Sequence, residues 1–242
     1  MTRRRKIAAI VASIPLLVVL AGISLFLVYN WMAVREAEHL LQEVRALKLG
    51  ESTSADVDRI MQRFSYWQGK LRFQTNCKSC VVLGPSGYPS AQWLLTVTEK
   101  MGVSPWWIVY ASFSEREGRL SGVSYHVFAT EMYRDALGVG AEAVHSYRSN
   151  EPDLPNYSLR LSEPQKSPHY INLRARATEE ASPQELGRMF DFSFSCLKWL
   201  GWCRTPCELM PAAWSDYLAI RRSEGNPLSP EAAEYYCPGR SD

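Results

Sequence analysis

IAAIVASIPLLVVLAGISLFLVY, residues 7–29, is the stretch on which the reading of the whole chain turns. It holds no charged residue, and as a helix rising about 1.5 Å per residue it reaches roughly 35 Å, enough to cross a hydrocarbon core of about 30 Å. Arg3, Arg4, Arg5 and Lys6 stand directly before it, and cationic clusters of this kind stay on the cytoplasmic side of a membrane. The run predicts a single-pass signal anchor: 1–6 a cytoplasmic tail, 7–29 in contact with the lipid bilayer, and the remainder extracytoplasmic, in a bacterium facing the periplasm from the inner membrane. A cleaved secretory signal has a shorter apolar core and ends in small residues, and Val28-Tyr29-Asn30-Trp31 offers no such site. Pro15 falls mid-span, where membrane helices accept a kink, and Tyr29 and Trp31 suit the outer headgroup level.

Composition bounds the part of the chain beyond the anchor. The chain has 242 residues, so that part can build one large domain or two small ones. Net charge is +2, less than the four cations of residues 3–6 supply, so the rest of the chain is slightly acidic. No run of Lys and Arg occurs after residue 6, which argues against nucleic acid as a partner. Aromatic residues make up 12% of the chain, as in a packed domain rather than a disordered one. Cys77, Cys80, Cys196, Cys203, Cys207 and Cys237 form an even set in a compartment that permits oxidation, so all six are disulfide candidates, with connectivity open.

Working outward from the anchor, Ala33, Ala37, Leu40, Val44 and Leu47 recur at helical spacing and predict a juxtamembrane helix over 30–49, closed at Gly50 in the manner of a C-cap. Thr53-Ser54-Ala55-Asp56 offers a hydroxyl cap with an acid three residues on, and Val57, Ile60, Met61 and Phe64 come next on one face of a second helix. Residues 47–60, from Leu47-Lys48-Leu49-Gly50 to Val57 and Ile60, resemble the helix opening of the SmpA/OmlA-type periplasmic outer-membrane-assembly lipoproteins, although that family's lipid-bearing cysteine is absent. The resemblance implies two helices packed on an antiparallel sheet and a role in binding proteins, with no catalytic residue to carry over.

Beyond residue 90 the period changes to two. Trp93, Leu95 and Val97 predict a half-buried strand. Trp106 to Ala111 is apolar on both faces, and Val123, Tyr125, Val127 and Ala129 alternate after Ser114-Glu115-Arg116-Glu117-Gly118-Arg119. Together they predict a hairpin whose first strand is central in a sheet. Residues 157–161 and 169–177 repeat the alternation, and the polar, proline-containing stretch 149–155 marks a possible internal boundary within a domain of 50–242. In the last sixty residues, Ser182-Pro183-Gln184-Glu185 and Thr205-Pro206-Cys207-Glu208 predict helix starts near 183 and 206. Apolar residues on two faces, from Leu186 to Cys203, predict that the first of these helices is long and largely buried. Ser229-Pro230 predicts a short turn before Cys237. The whole reads as α+β: a transmembrane helix, two N-terminal helices, an antiparallel β-sheet and a C-terminal helical block.

Candidate chemistry is sparse. Cys77-Lys78-Ser79-Cys80 has redox-motif spacing, but a strand-like stretch rather than a helix comes after it, which favours a structural bridge. Cys207, two residues into a helix, is placed for thiolate stabilisation, yet Cys203 and Cys196 are near enough in sequence to bridge, as Cys203–Cys207 or Cys196–Cys203. A zinc set of Cys77, Cys80, Cys203 and Cys207 ranks third. His39, His126, His145 and His169 show no metalloprotease spacing, and although His126 and Glu115 could meet across the hairpin, two titratable groups in one hairpin occur by chance too often to make a site. No catalytic, cofactor-binding or metal-ligating residue is predicted. The expected function is a non-enzymatic protein-binding or envelope-assembly module, with a thiol redox enzyme or an envelope hydrolase as the alternative.

Overall fold

The computed structural model describes residues 3–65, 79–84, 105–131, 138–147, 155–162, 170–198 and 203–238, with side chains along the first helix from Leu17 onward. That helix, α1 (Arg3–Ala46), is unbroken, so the expected anchor and juxtamembrane helix are one element. Its side chains divide by position. Leu17, Val18, Val19, Leu20 and Leu25 are exposed, whereas Phe26, Asn30, Ala33, Val34, Ala37, Leu40, Leu41 and Val44 form a buried stripe at helical spacing. The helix stops at Ala46, and Gly50 is not its cap. With φ of +72°, Gly50 turns the chain onto the sheet, where its N–H donates to the Leu120 carbonyl at 2.9 Å. α2 (Ser54–Arg63) starts as expected: the Thr53 N–H donates to the Asp56 carboxylate at 2.9 Å, and Val57 and Ile60 are buried.

The strands β1 (Cys80–Leu83), β2 (Pro105–Arg116), β3 (Arg119–Glu131), β4 (Gly138–Ser146), β5 (Tyr157–Ser162) and β6 (Tyr170–Ala177) form one sheet in the order β1-β2-β3-β4-β6-β5. β2 is flanked on both sides, as its two-sided apolar run predicts. The hairpin turn is tighter than the sequence suggested, because the strands extend to Arg116 and from Arg119. Only Glu117 and Gly118 turn, with φ of 56° and 75°, the paired positive values of a type I′ turn. The expectation of a purely antiparallel sheet is corrected, since β4 and β6 pair parallel. β4, a glycine- and alanine-rich strand with little β-propensity, is not among the strands expected from the sequence. After it the chain forms edge strand β5 and returns as β6 between the two. β4 and β5, which precede and follow the stretch 149–155, belong to this one sheet, while residues 149–154 themselves and the strand expected over residues 92–98 lie outside the described residues.

α1 runs along the strands on the inner face. At one end the Trp107 indole N–H donates to Asn30 Oδ1 at 2.9 Å, and Asn30 Nδ2 donates to the Leu197 carbonyl at 2.6 Å. Further along, the Tyr125 hydroxyl donates to the Ala37 carbonyl at 2.8 Å, and at the far end lies the Gly50–Leu120 bond. The groups of the Trp107, Asn30 and Tyr125 bonds are buried, where an unmade bond is costly, so they fix the register of helix against sheet.

The helical block completes this layer. α3 (Pro183–Met189) begins with a capping box, the Glu185 N–H on Ser182 Oγ at 3.2 Å and the Ser182 N–H on Glu185 Oε2 at 2.7 Å. The long helix expected from 183 to 200 does not form, as only a short 3₁₀ turn comes after α3, at Ser195–Leu197. In Asp191-Phe192-Ser193-Phe194 the two phenylalanines are buried, Asp191 is exposed, and the Ser193 N–H donates to the Leu209 carbonyl at 2.9 Å, an extended pattern for residues that favour helix interiors poorly. α4 (Pro206–Leu209) is equally short, because Pro211 forces Met210 to φ −133°, ψ 71°, out of the helical region, before α5 (Pro211–Ser223) begins. α6 (Pro230–Tyr236) starts at the Ser229 cap. Disulfides join Cys196 to Cys203 and Cys207 to Cys237.

Candidate functional site

Because side chains alternate along a strand, the residues between those buried under the helices face the other way. The strand registers align them in one row across all six strands: Val82, Tyr110, His126, Glu142, Arg174 and Arg160. The row changes character along its length. Cys80 and Val82 pack with Ile108 and Tyr110 into a small apolar cluster at the β1 edge. At the β5 side stand Arg160, Arg174 and, two residues along β6, Arg176.

His126 and Glu142 occupy the middle. Burial pushes the His126 imidazole below its ordinary range, against the opposing pull of the Glu142 carboxylate. Its Nε2 is buried without a hydrogen-bond partner, as is Asn172 Oδ1 on β6. Glu142 is engaged on its other side, its carboxylate 3.3 Å from Arg174 Nε. His126 and Glu115 do not meet across the hairpin. Tyr110, not Glu115, lies opposite His126, and Glu115 sits opposite Leu120, where it accepts from the Ser54 hydroxyl at 2.5 Å. Glu142 is the acid that faces His126, and it was missed because β4 carries no strong strand signal.

The other sequence candidates are dispersed. His145 is on the inner face, its imidazole lowered by burial and hydrogen-bonded with the Thr178 backbone. His39 is half-buried on α1, while His169 and Cys77 lie outside the described residues. Cys207 is buried and bonded to Cys237, so it holds no free thiol. The Cys203–Cys207 bridge does not form, and the zinc set is not assembled, since both of these cysteines are bonded elsewhere. Cys80 is disulfide-bonded too. A groove between α1 and α2 is lined by Glu43, Lys48, Glu51, Asp56 and Arg59, but each of these is paired, Lys48 with Glu51 at 3.2 Å, Arg59 with Asp56 at 3.0 Å, and Glu43 with Arg63 of α2.

No protein-family model matches the chain, nor does any curated protein or solved structure.

Proposed function

We propose that the chain is a single-pass membrane protein, N-terminus in the cytoplasm, whose extracytoplasmic domain is a non-enzymatic module that binds another envelope protein through the outer face of its sheet. The observation that carries this reading is the division of α1. From Ile7 to Phe26 the helix rises about 30 Å, the thickness of a hydrocarbon core, and among its described side chains the first buried one is Phe26. Trp31, exposed and stacked under the Arg35 guanidinium at 5.4 Å, then stands at headgroup level. Since the strands run along α1, the sheet stands upright on the membrane. Its hairpin tip is about 30 Å beyond Trp107, and its outer face is turned sideways.

Two sets of groups that could perform chemistry are committed elsewhere, which supports binding over catalysis: Glu142 holds Arg174, and Cys196, Cys203, Cys207 and Cys237 are bridged. The test is photocrosslinking in native membranes from a photoreactive residue placed at Ser112 or Ser158 on the outer face, compared with one at Ala219 on the exposed side of α5. Protein adducts from the first two positions and none from the third are expected. Equal adducts from all three, or none, would reject the reading.

A further inference from the structure

We infer that the outer face of β5 and β6 docks an acidic protein segment, a deepening that rests on the protein-binding reading above. Arg160 and Arg174 are direct cross-strand partners, and Arg176 comes two residues after Arg174 on the same face. Like charges placed directly opposite each other destabilise a sheet, so this arrangement works against the fold that carries it. The compensation is partial. Glu142 is the only carboxylate on the outer face of β4, β5 and β6, and it binds Arg174. Among the described residues no carboxylate pairs with Arg160 or Arg176. Among the described residues, therefore, two guanidinium groups without a carboxylate partner share one face of a chain that, beyond residue 6, is slightly acidic.

Guanidinium forks match carboxylates and phosphates alike, and position decides between them. Tyr170, Gly138 and Thr130 align at the same end of the sheet as Trp106, the end beside Asn30 and the membrane. Arg174 and Arg176 are then about 13 and 20 Å further from the bilayer along β6. Both distances exceed the screening length of about 8 Å at physiological salt, so lipid phosphates are out of electrostatic reach. Carboxylates of a protein segment are not. β5 is the edge strand of the described sheet, so an extended segment can lie along it with its acids over Arg160 and Arg176.

The probe is a fluorescein-labelled deca-glutamate peptide. Binding is measured by anisotropy on the full chain in phosphatidylcholine nanodiscs, with Arg3, Arg4, Arg5 and Lys6 changed to Gln in every sample so that the tail does not compete. Arg160→Glu with Arg176→Glu is expected to weaken binding about tenfold, and Glu142→Gln, which releases Arg174, to strengthen it about threefold, a gain that misfolding cannot imitate. Arg116→Glu at the hairpin tip is expected to change nothing. Failure of the parent protein to bind at low salt, or a loss at Arg116→Glu equal to that of the double variant, would overturn the inference. So would displacement of the peptide when phosphatidylglycerol replaces half the lipid, which would give the arginines to the membrane. If crosslinks from Ser158 to a protein persist in Arg160→Glu/Arg176→Glu, the protein-binding reading stands and the acidic partner falls.

Discussion

Two stretches of α1 share one helix and one set of backbone hydrogen bonds, yet different surroundings hold them. Residues 17–25 are apolar, and large side chains such as Leu17, Val18 and Leu25 stand free of the domain. From Phe26 to Val44 the helix is amphipathic, with a buried stripe and, at Asn30, a fully buried amide that joins Trp107 on the sheet to Leu197 in the helical block. The contrast teaches that hydropathy reports what a helix can be surrounded by, whereas spacing and a single buried polar group report what it is attached to. In water the first stretch would have no reason to be apolar all round. In lipid alone the second would have no partner for Asn30.

The sharpest way to break the comparison is to remove what the second stretch is gripped by. Trp107→Ala deletes a fully buried side chain and leaves Asn30 Oδ1 without a donor, and should lower domain stability by about 3–5 kcal/mol in urea unfolding. Asn30→Ala keeps the packing but orphans the indole N–H and the Leu197 carbonyl, and should cost about 1–3 kcal/mol in the same measurement. Acid separates the stretches in another way. Folded-state burial lowers His145 below its ordinary value of 6.5, so the unfolded chain binds the proton first. Stability that is full above pH 6.5 should fall as pH drops from there toward the lower folded value, and His126 adds in the same sense. Residues 17–29 hold no titratable charge apart from the Tyr29 phenol, so circular dichroism should find the helix retained while the domain's urea midpoint falls. Replacement of His145 by Asn should flatten that dependence. At the small end, Leu20→Ala should leave domain stability within about 0.5 kcal/mol of the parent, because its side chain touches nothing in the domain core. A loss as large as that of Asn30→Ala would mean that the two stretches are not distinct.

How much of this could be read from the chain depends on how local each signal is. The capping boxes at Thr53 and Ser182 and the proline-started helix at Pro230 are written within a few residues, and they are where the sequence places them. The apolar run is equally plain. Its boundary is not, because the attachment of Asn30 depends on Trp107 of β2 and on Leu197, 77 and 167 residues away. β4 was missed for lack of β-branched and aromatic residues, and with it went both the parallel pairing and Glu142, the acid that meets His126. The helix expected over 183–200 stops at Met189, because apolar residues at mixed spacing fit an extended segment under the sheet as well as a helix. The three arginines were legible as residues but not as a cluster, since only the β5–β6 register makes Arg160 and Arg174 neighbours.

The central claim is that α1 is one rigid element from the proposed membrane span to the core. Hydrogen–deuterium exchange of the full chain in nanodiscs measures this directly, amide by amide. Continuous protection from residue 17 to residue 44, with residues 28–33 as slow as those on either side, is the expected result. Rapid exchange confined to 28–33 would reveal a hinge between membrane and domain, and would contradict the claim.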